Sequence, residues 1–126
     1  MKKQGSGRIQ RLINATRYSA QGIASAWRNE AAFRQEAAVI LPLLPLALWI
    51  GETAAQRALL ILSALLVIIV ELLNSAIEAA VDRIGETPHP LAGQAKDMGS
   101  AAVLFSLVTG AVVWGLVIWE RLGSLR

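Results

Sequence analysis

The chain of 126 residues contains no cysteine. That excludes a disulfide framework and any thiolate metal site, and it leaves the compartment open. Histidine occurs once, as His89 between Pro88 and Pro90. A lone histidine in such a stretch is usually plain surface, so the sequence gives it no catalytic duty. Neither G-x-x-x-x-G-K-[ST] nor G-x-G-x-x-G is present, which removes the P-loop and the dinucleotide fingerprint. The start, MKKQGSGR, is basic but has no apolar stretch directly behind it. It does not read as a secretory signal, and the N-terminus is expected to be kept. Charge is sparse too: 17 % of residues are charged and 55 % are hydrophobic.

The apolar excess comes in runs, which argues for membrane spans rather than an enlarged soluble core. Seven of the twelve basic residues lie in the first 34: Lys2, Lys3, Arg8, Arg11, Arg17, Arg28 and Arg34. A basic arm can bind nucleic acid, but apolar segments follow it here, and basic residues next to spans set orientation. Residues 1–7 read as a disordered tail. From Arg8 to about Arg28, Ile9, Leu12, Ile13, Ile23 and Trp27 recur at helical spacing among arginines. This predicts an amphipathic helix lying on the membrane, with a packed helix of a soluble domain as the plainer alternative.

Three spans are expected, at about 30–51, 58–84 and 98–119. The first carries Pro42 and Pro45, which should bend it, and Arg34 and Glu36 at its start. A polar turn, ETAAQR (Glu52–Arg57), precedes the second span, and GETPHPLAGQAKD (Gly85–Asp97) reads as a loop from its Gly, Pro and charge. In the third span, Ser106 and Gly110 form a small-xxx-small pair that lets another helix approach, and Trp114 and Trp119 suit the far interface. The basic N-terminus belongs in the cytoplasm and, after three spans, the C-terminus on the far side. The chain thus reads as one all-α membrane domain: a surface helix plus three transmembrane helices.

The second span ends in ELLNSAIEAAVDR (Glu71–Arg83), after thirteen apolar and small residues from Ala58 to Val70. At 100° per residue with Glu71 at zero, Asn74 falls at about −60°, Ser75 at +40°, Glu78 at −20° and Asp82 at +20°. All five share one face of a helix that is otherwise Leu, Ile, Val and Ala. A carboxylate inside a bilayer is costly, so such a stripe faces protein, water or an ion. Pairing with arginines to hold helices together would explain one or two of these residues, but not the depth of Glu71. If hydrocarbon covers about 20 residues from Ala58, Glu71 sits inside the cytoplasmic leaflet and Glu78 at its edge. Seven residues separate them by roughly 10 Å, too far to share one proton or one metal ion. Glu71 can therefore meet a group carried by a lipid, as a general base. Glu78 can meet Mg²⁺ on a phosphate arriving from water. Glu30 matches Glu78 in depth and is a second candidate ligand, or else a solvated headgroup-level glutamate. Lys96 and Asp97 enter the third span at that level; the lysine can neutralise phosphate or make a surface ion pair.

NEAAFRQE (Asn29–Glu36), VELLNSAIEAAVDRIG (Val70–Gly85) and AKDMGSAAV (Ala95–Val103) closely resemble the small bacterial integral-membrane diacylglycerol kinases. The resemblance spans about residues 8–120. It implies a homotrimer in the inner membrane that transfers the γ-phosphate of MgATP to diacylglycerol, giving phosphatidic acid. By the same resemblance Glu71 is the catalytic base, Glu30 and Glu78 bridge the metal, and Asn74 is an active-site polar group. Nucleotide contacts fall on Arg11, Tyr18, Glu30, Glu78, Thr87, Pro88, His89, Lys96 and Asp97. Lipid contacts on the surface helix fall on Ala15, Thr16, Arg17, Tyr18, Ser19, Ala20, Ala24, Ser25, Ala26 and Trp27. Those on the first span are Ala32, Phe33, Arg34, Gln35, Glu36, Trp49, Ile50, Gly51 and Glu52. The rest are Arg57, Glu71, Ser100, Trp114, Gly115, Leu116, Val117, Ile118 and Trp119.

A kinase of a long isoprenoid alcohol such as undecaprenol would use the same base and metal, though NEAAFRQE favours the glyceride. A holin-like three-span protein would account for length and topology but not for the ordered stripe. A proton relay is disfavoured, because the outer half of the second span lacks polar residues.

Overall fold

The computed structural model describes residues 7–125. The expected disordered tail lies outside them except for Gly7, which is helical. There are four helices: α1 (Gly7–Asn29), α2 (Ala31–Ile50), α3 (Ala54–Ile84) and α4 (Pro90–Ser124). The last three are long and apolar enough to cross a membrane.

Only Glu30 separates α1 from α2. Its extended backbone, φ −118° and ψ 105°, turns the chain. The guanidinium of Arg34 folds back and donates to the carbonyls of Trp27 at 2.6 Å and Arg28 at 3.3 Å. These are carbonyls that the end of α1 leaves without helical partners. Arg34, assigned to lipid by resemblance, thus has a structural task. α2 runs unbroken through Pro42 and Pro45 and buries Phe33, Ala37, Ile40, Ala47 and Ile50.

The α2–α3 turn is shorter than expected, because Thr53 starts the next helix. Its hydroxyl accepts from the amide of Gln56 at 3.1 Å, as an N-cap does. Arg57 and Arg121 then donate to the terminal α2 carbonyls of Leu48 and Ile50, at 3.2 and 3.1 Å. At this end Glu52 accepts from Ser124 at 2.9 Å, Glu120 accepts from Gln56 at 2.9 Å, and Arg121 stacks over Trp49. This clasp ties the end of α4 to the α2–α3 turn.

α3 is the central element, packed against α4 and α2. Two apolar clusters hold the three together: Ala47, Ile50, Leu60 and Val117, then Ile40, Ala64 and Val67. Trp114 packs against both, and its indole N–H donates to the Leu60 carbonyl at 3.2 Å. It is therefore a core residue as well as a candidate interface aromatic. Gly110 faces the Ser63 carbonyl of α3, so the small pair Ser106/Gly110 admits this chain's own α3. Large side chains such as Leu62, Phe105 and Leu116 point outward, as lipid-facing residues do.

The stretch Gly85–Asp97 is not all loop. α4 begins at Pro90, leaving only residues 85–89 outside helices. His89 is its N-cap, with Nδ1 accepting from the Leu91 amide at 3.1 Å, and Pro90 occupies the first turn. Proline suits that position because its missing N–H would have no partner there, and Leu-Ala-Gly-Gln-Ala-Lys is mostly good helix former. Lys96 and Asp97 are consequently set on a rigid helix.

Candidate active site at the polar end of the bundle

The packed face of α3 runs Leu60, Ala64, Val67, Glu71, Ser75. The spacing of four and three residues keeps one stripe turned toward the other helices. The stripe is apolar up to Val67 and polar from Glu71 onward, so the carboxylate lies where the core would otherwise continue. Glu71 is only 4 % exposed. Glu78, two turns on, is half-buried, and Asp82 is exposed. Burial thus decreases steadily along the stripe toward the helix end.

Other helices bring further groups to this end. Glu36, on α2, is an acidic neighbour of Glu71, as are Glu78 and Glu30. One Glu36 oxygen is buried and has no hydrogen-bond partner. The sequence reading counted Glu36 only among lipid contacts. Two acids in two apolar spans were the available sign, since each needs somewhere to turn. The amide oxygen of Asn74 is likewise buried and without a partner. An orphaned buried polar group costs about 1–3 kcal/mol, so the site carries unmet hydrogen-bonding capacity. Glu30 makes no capping bond to α2 despite its N-cap position. It lines a cleft of about 530 Å³ between α1 and α3, together with Ser19, Ser25, Asn29, Leu72 and Ser75.

Gly99 is the residue of α4 that meets Asn74, and the sequence reading gave it no role. It is buried, and a Cβ there would collide with the Asn74 amide oxygen. Its backbone is ordinary, since no residue among those described has positive φ. The glycine therefore serves space rather than conformation. Gly99→Ala should push the Asn74 amide aside, because a side-chain end yields more easily than a helix backbone. Turnover should fall at least about tenfold, while overpacking costs stability no more than about 1–3 kcal/mol. Activity and thermal unfolding measured on the same preparation would separate the two effects; a large loss of fold with normal specific activity would contradict this account.

Other candidates lie elsewhere. Lys96 is exposed and bonds Asp82 at 2.7 Å, making the surface ion pair that was its plainer reading. A phosphate would have to draw it away. Asp97 and Ser100 are exposed on α4, and Arg11 and Tyr18 on α1. Thr87 and His89 line a separate groove with Ile84, Leu91 and Ala92. Of the surface-helix set, Ser19, Ser25 and Ala26 reach the α1–α3 cleft, while Ala24 and Trp27 line a shallower groove. Trp49, Glu52 and Arg57 belong to the far-end clasp. Arg57 is fourteen residues from Glu71 on α3, roughly 21 Å along the axis.

Among the described residues no three His, Cys, Asp or Glu side chains form a metal-holding group. The carboxylates of Glu30, beside the cleft, and Glu78, half-buried on α3, are hard oxygen donors of the type a magnesium-like cation takes. Such an ion takes one or two carboxylates and completes its shell with phosphate oxygens and water.

Fold and site define a multi-span helical membrane protein with a cluster of acidic and amide groups buried at one end of its bundle. Comparison with protein families matches residues 17–118 to "Prokaryotic diacylglycerol kinase". The chain is 51 % identical to the diacylglycerol kinase of Escherichia coli K12 over 113 residues, covering 90 % of this chain and 93 % of that one. It is 50 % identical to that of Haemophilus influenzae over 108 residues, with 86 % and 92 % covered. For that of Pseudomonas aeruginosa PAO1 the identity is 46 % over 115 residues, with 91 % and 94 % covered. This chain belongs to the prokaryotic diacylglycerol kinase family, and so is an enzyme, a membrane-embedded kinase.

Proposed function

We propose that this chain transfers the γ-phosphate of ATP to the free hydroxyl of diacylglycerol, with Glu71 as the general base. The observation that carries the assignment of Glu71 is its burial on the packed face of α3, deeper in the bundle than half-buried Glu78 or exposed Asp82. The hydroxyl oxygen forms a bond to the γ-phosphorus, and the bond from that phosphorus to its bridging oxygen breaks. Glu71 takes the hydroxyl proton, ADP leaves, and phosphatidic acid is the product. Asn74, on the same helix, and Glu36, on α2, flank the carboxyl of Glu71. Glu30 and Glu78 would hold Mg²⁺, which supplies charge neutralisation on the phosphates. Lys96, released from Asp82, meets the phosphates, with Asp97, Arg11, Tyr18 and the Thr87–His89 turn around the nucleotide. Positioning and charge account for most of the rate in such chemistry.

The exposed apolar residues of α1, Ile9, Leu12, Ile13, Ile23 and Trp27, support a helix lying in the membrane surface. The basic N-terminal third supports a cytoplasmic N-terminus in a bacterial inner membrane, with the C-terminus outside. The homotrimer rests on the family resemblance; neighbouring copies would wall the α1–α3 cleft that one copy leaves open.

The test is transfer of labelled γ-phosphate from MgATP by purified protein in mixed micelles, with diacylglycerol and undecaprenol as parallel acceptors. Labelled phosphatidic acid is the expected product. Label on undecaprenol alone would keep the chemistry and overturn the substrate.

A further inference from the structure

Among the described residues, every buried serine but one satisfies its own hydroxyl. Ser63 donates to the Leu60 carbonyl at 3.1 Å, and Ser106 to the Val103 carbonyl at 2.7 Å. Exposed Thr16, Ser19 and Thr109 do the same one turn back in their helices. This back-bond is open to any serine or threonine in a helix interior. Ser75 is 9 % exposed, and its hydroxyl has no partner. It lines the α1–α3 cleft, whose volume is about 530 Å³. A buried hydroxyl that leaves its local bond unmade is free to meet a group that enters the cleft.

The neighbours say what enters. Along α3, Ser75 lies about 6 Å from Glu71 and about 4.5 Å from Glu78, between base and candidate metal ligand. The cleft walls around it are apolar or small: Ile23, Ala26, Leu72, Ala76 and Ala79. Such walls suit the glycerol end of a lipid better than a triphosphate, and the other polar groups present, Ser19, Ser25, Asn29 and Glu30, come from α1 and the α1–α2 turn across from Ser75. We propose that Ser75 is a substrate-binding residue whose hydroxyl donates a hydrogen bond to an oxygen of the glyceride head lodged in the α1–α3 cleft. This rests on the diacylglycerol kinase reading. The bond holds the head so that its free hydroxyl is presented to Glu71, one helical turn deeper.

The experiment compares wild type, Ser75→Ala and Ser75→Thr in mixed micelles, varying diacylglycerol at saturating MgATP and the reverse. Ser75→Ala should raise KM for diacylglycerol about five- to thirty-fold, the value of one hydrogen bond, and leave KM for MgATP unchanged. Ser75→Thr, which keeps the hydroxyl, should recover much of the loss. The Ala variant should unfold at or above the wild-type temperature, since it removes an unpaired buried group. A raised KM for MgATP instead would assign the hydroxyl to the nucleotide and overturn the proposal. Loss of oligomer size or stability with both KM values unchanged would overturn it by making Ser75 a packing residue. Stabilisation by dioctanoylglycerol without ATP reads binding separately from turnover, and Ser75→Ala should weaken it. If wild type is neither active on diacylglycerol nor stabilised by it, the kinase reading and this one fall together. If it is stabilised and the Ala variant is stabilised equally, only this one falls.

Discussion

Glu71→Gln should give a folded protein whose turnover on diacylglycerol is lower by about two to four orders of magnitude, the usual worth of a general base. Glutamine keeps the shape and removes the proton acceptor. Glu71 is 4 % exposed, so a change in volume there would be felt by the packing, whereas this substitution has almost none. Stability should hold or rise, because a charge at membrane depth is expensive and its neighbours are acids rather than bases. The loss should appear in kcat, with KM for MgATP little changed, since the proposed nucleotide contacts lie around Glu78 and Lys96 rather than Glu71. Steady-state kinetics in mixed micelles and thermal unfolding in the same detergent supply both readouts. A Gln variant within tenfold of wild type would remove Glu71 from the proton transfer and return the stripe to a role in joining helices.

The helices and the polar face of α3 were legible because both are periodic within a single segment. Hydrophobic runs locate the spans, and 100° per residue is enough to see that Glu71, Ser75, Glu78 and Asp82 align. What lies across from that face is a property of two helices at once. Nothing in the spacing of α3 says that Glu36 from α2 approaches Glu71, or that Gly99 from α4 makes room for Asn74. Pro, Gly and charge over residues 85–97 favour a loop, yet α4 starts within them at Pro90. The order of those residues, with His89 and Pro90 ahead of Leu and Ala, is a helix start. The far-end clasp was invisible for a similar reason: Trp49, Glu52, Gln56, Glu120 and Arg121 are ordinary interface residues until three helix ends meet. Ser75 was visible as part of the stripe. Its missing hydrogen bond could be noticed only beside serines that make theirs.

Glu78→Gln should act differently from Glu71→Gln, and the difference tests the division of labour along α3. A carboxylate that holds Mg²⁺ contributes charge as well as an oxygen, and glutamine supplies only a weak carbonyl ligand. The free Mg²⁺ needed for half-maximal rate should therefore rise at least about tenfold, with a fall in kcat that excess Mg²⁺ only partly restores. Glu30→Gln should show the same Mg²⁺ dependence, although it sits on the far side of the α1–α3 cleft and before α2. Glu71→Gln should leave that dependence where it is. Asp82→Asn is the control one turn further on: Asp82 is exposed and paired with Lys96, so its loss should change the Mg²⁺ requirement little. Titrations of rate against free Mg²⁺ at fixed ATP, run on all four variants, distinguish the patterns. If Glu78→Gln and Glu71→Gln lower the rate alike and neither moves the Mg²⁺ midpoint, the two carboxylates act as one unit. Glu78 would then lose its place as a metal ligand.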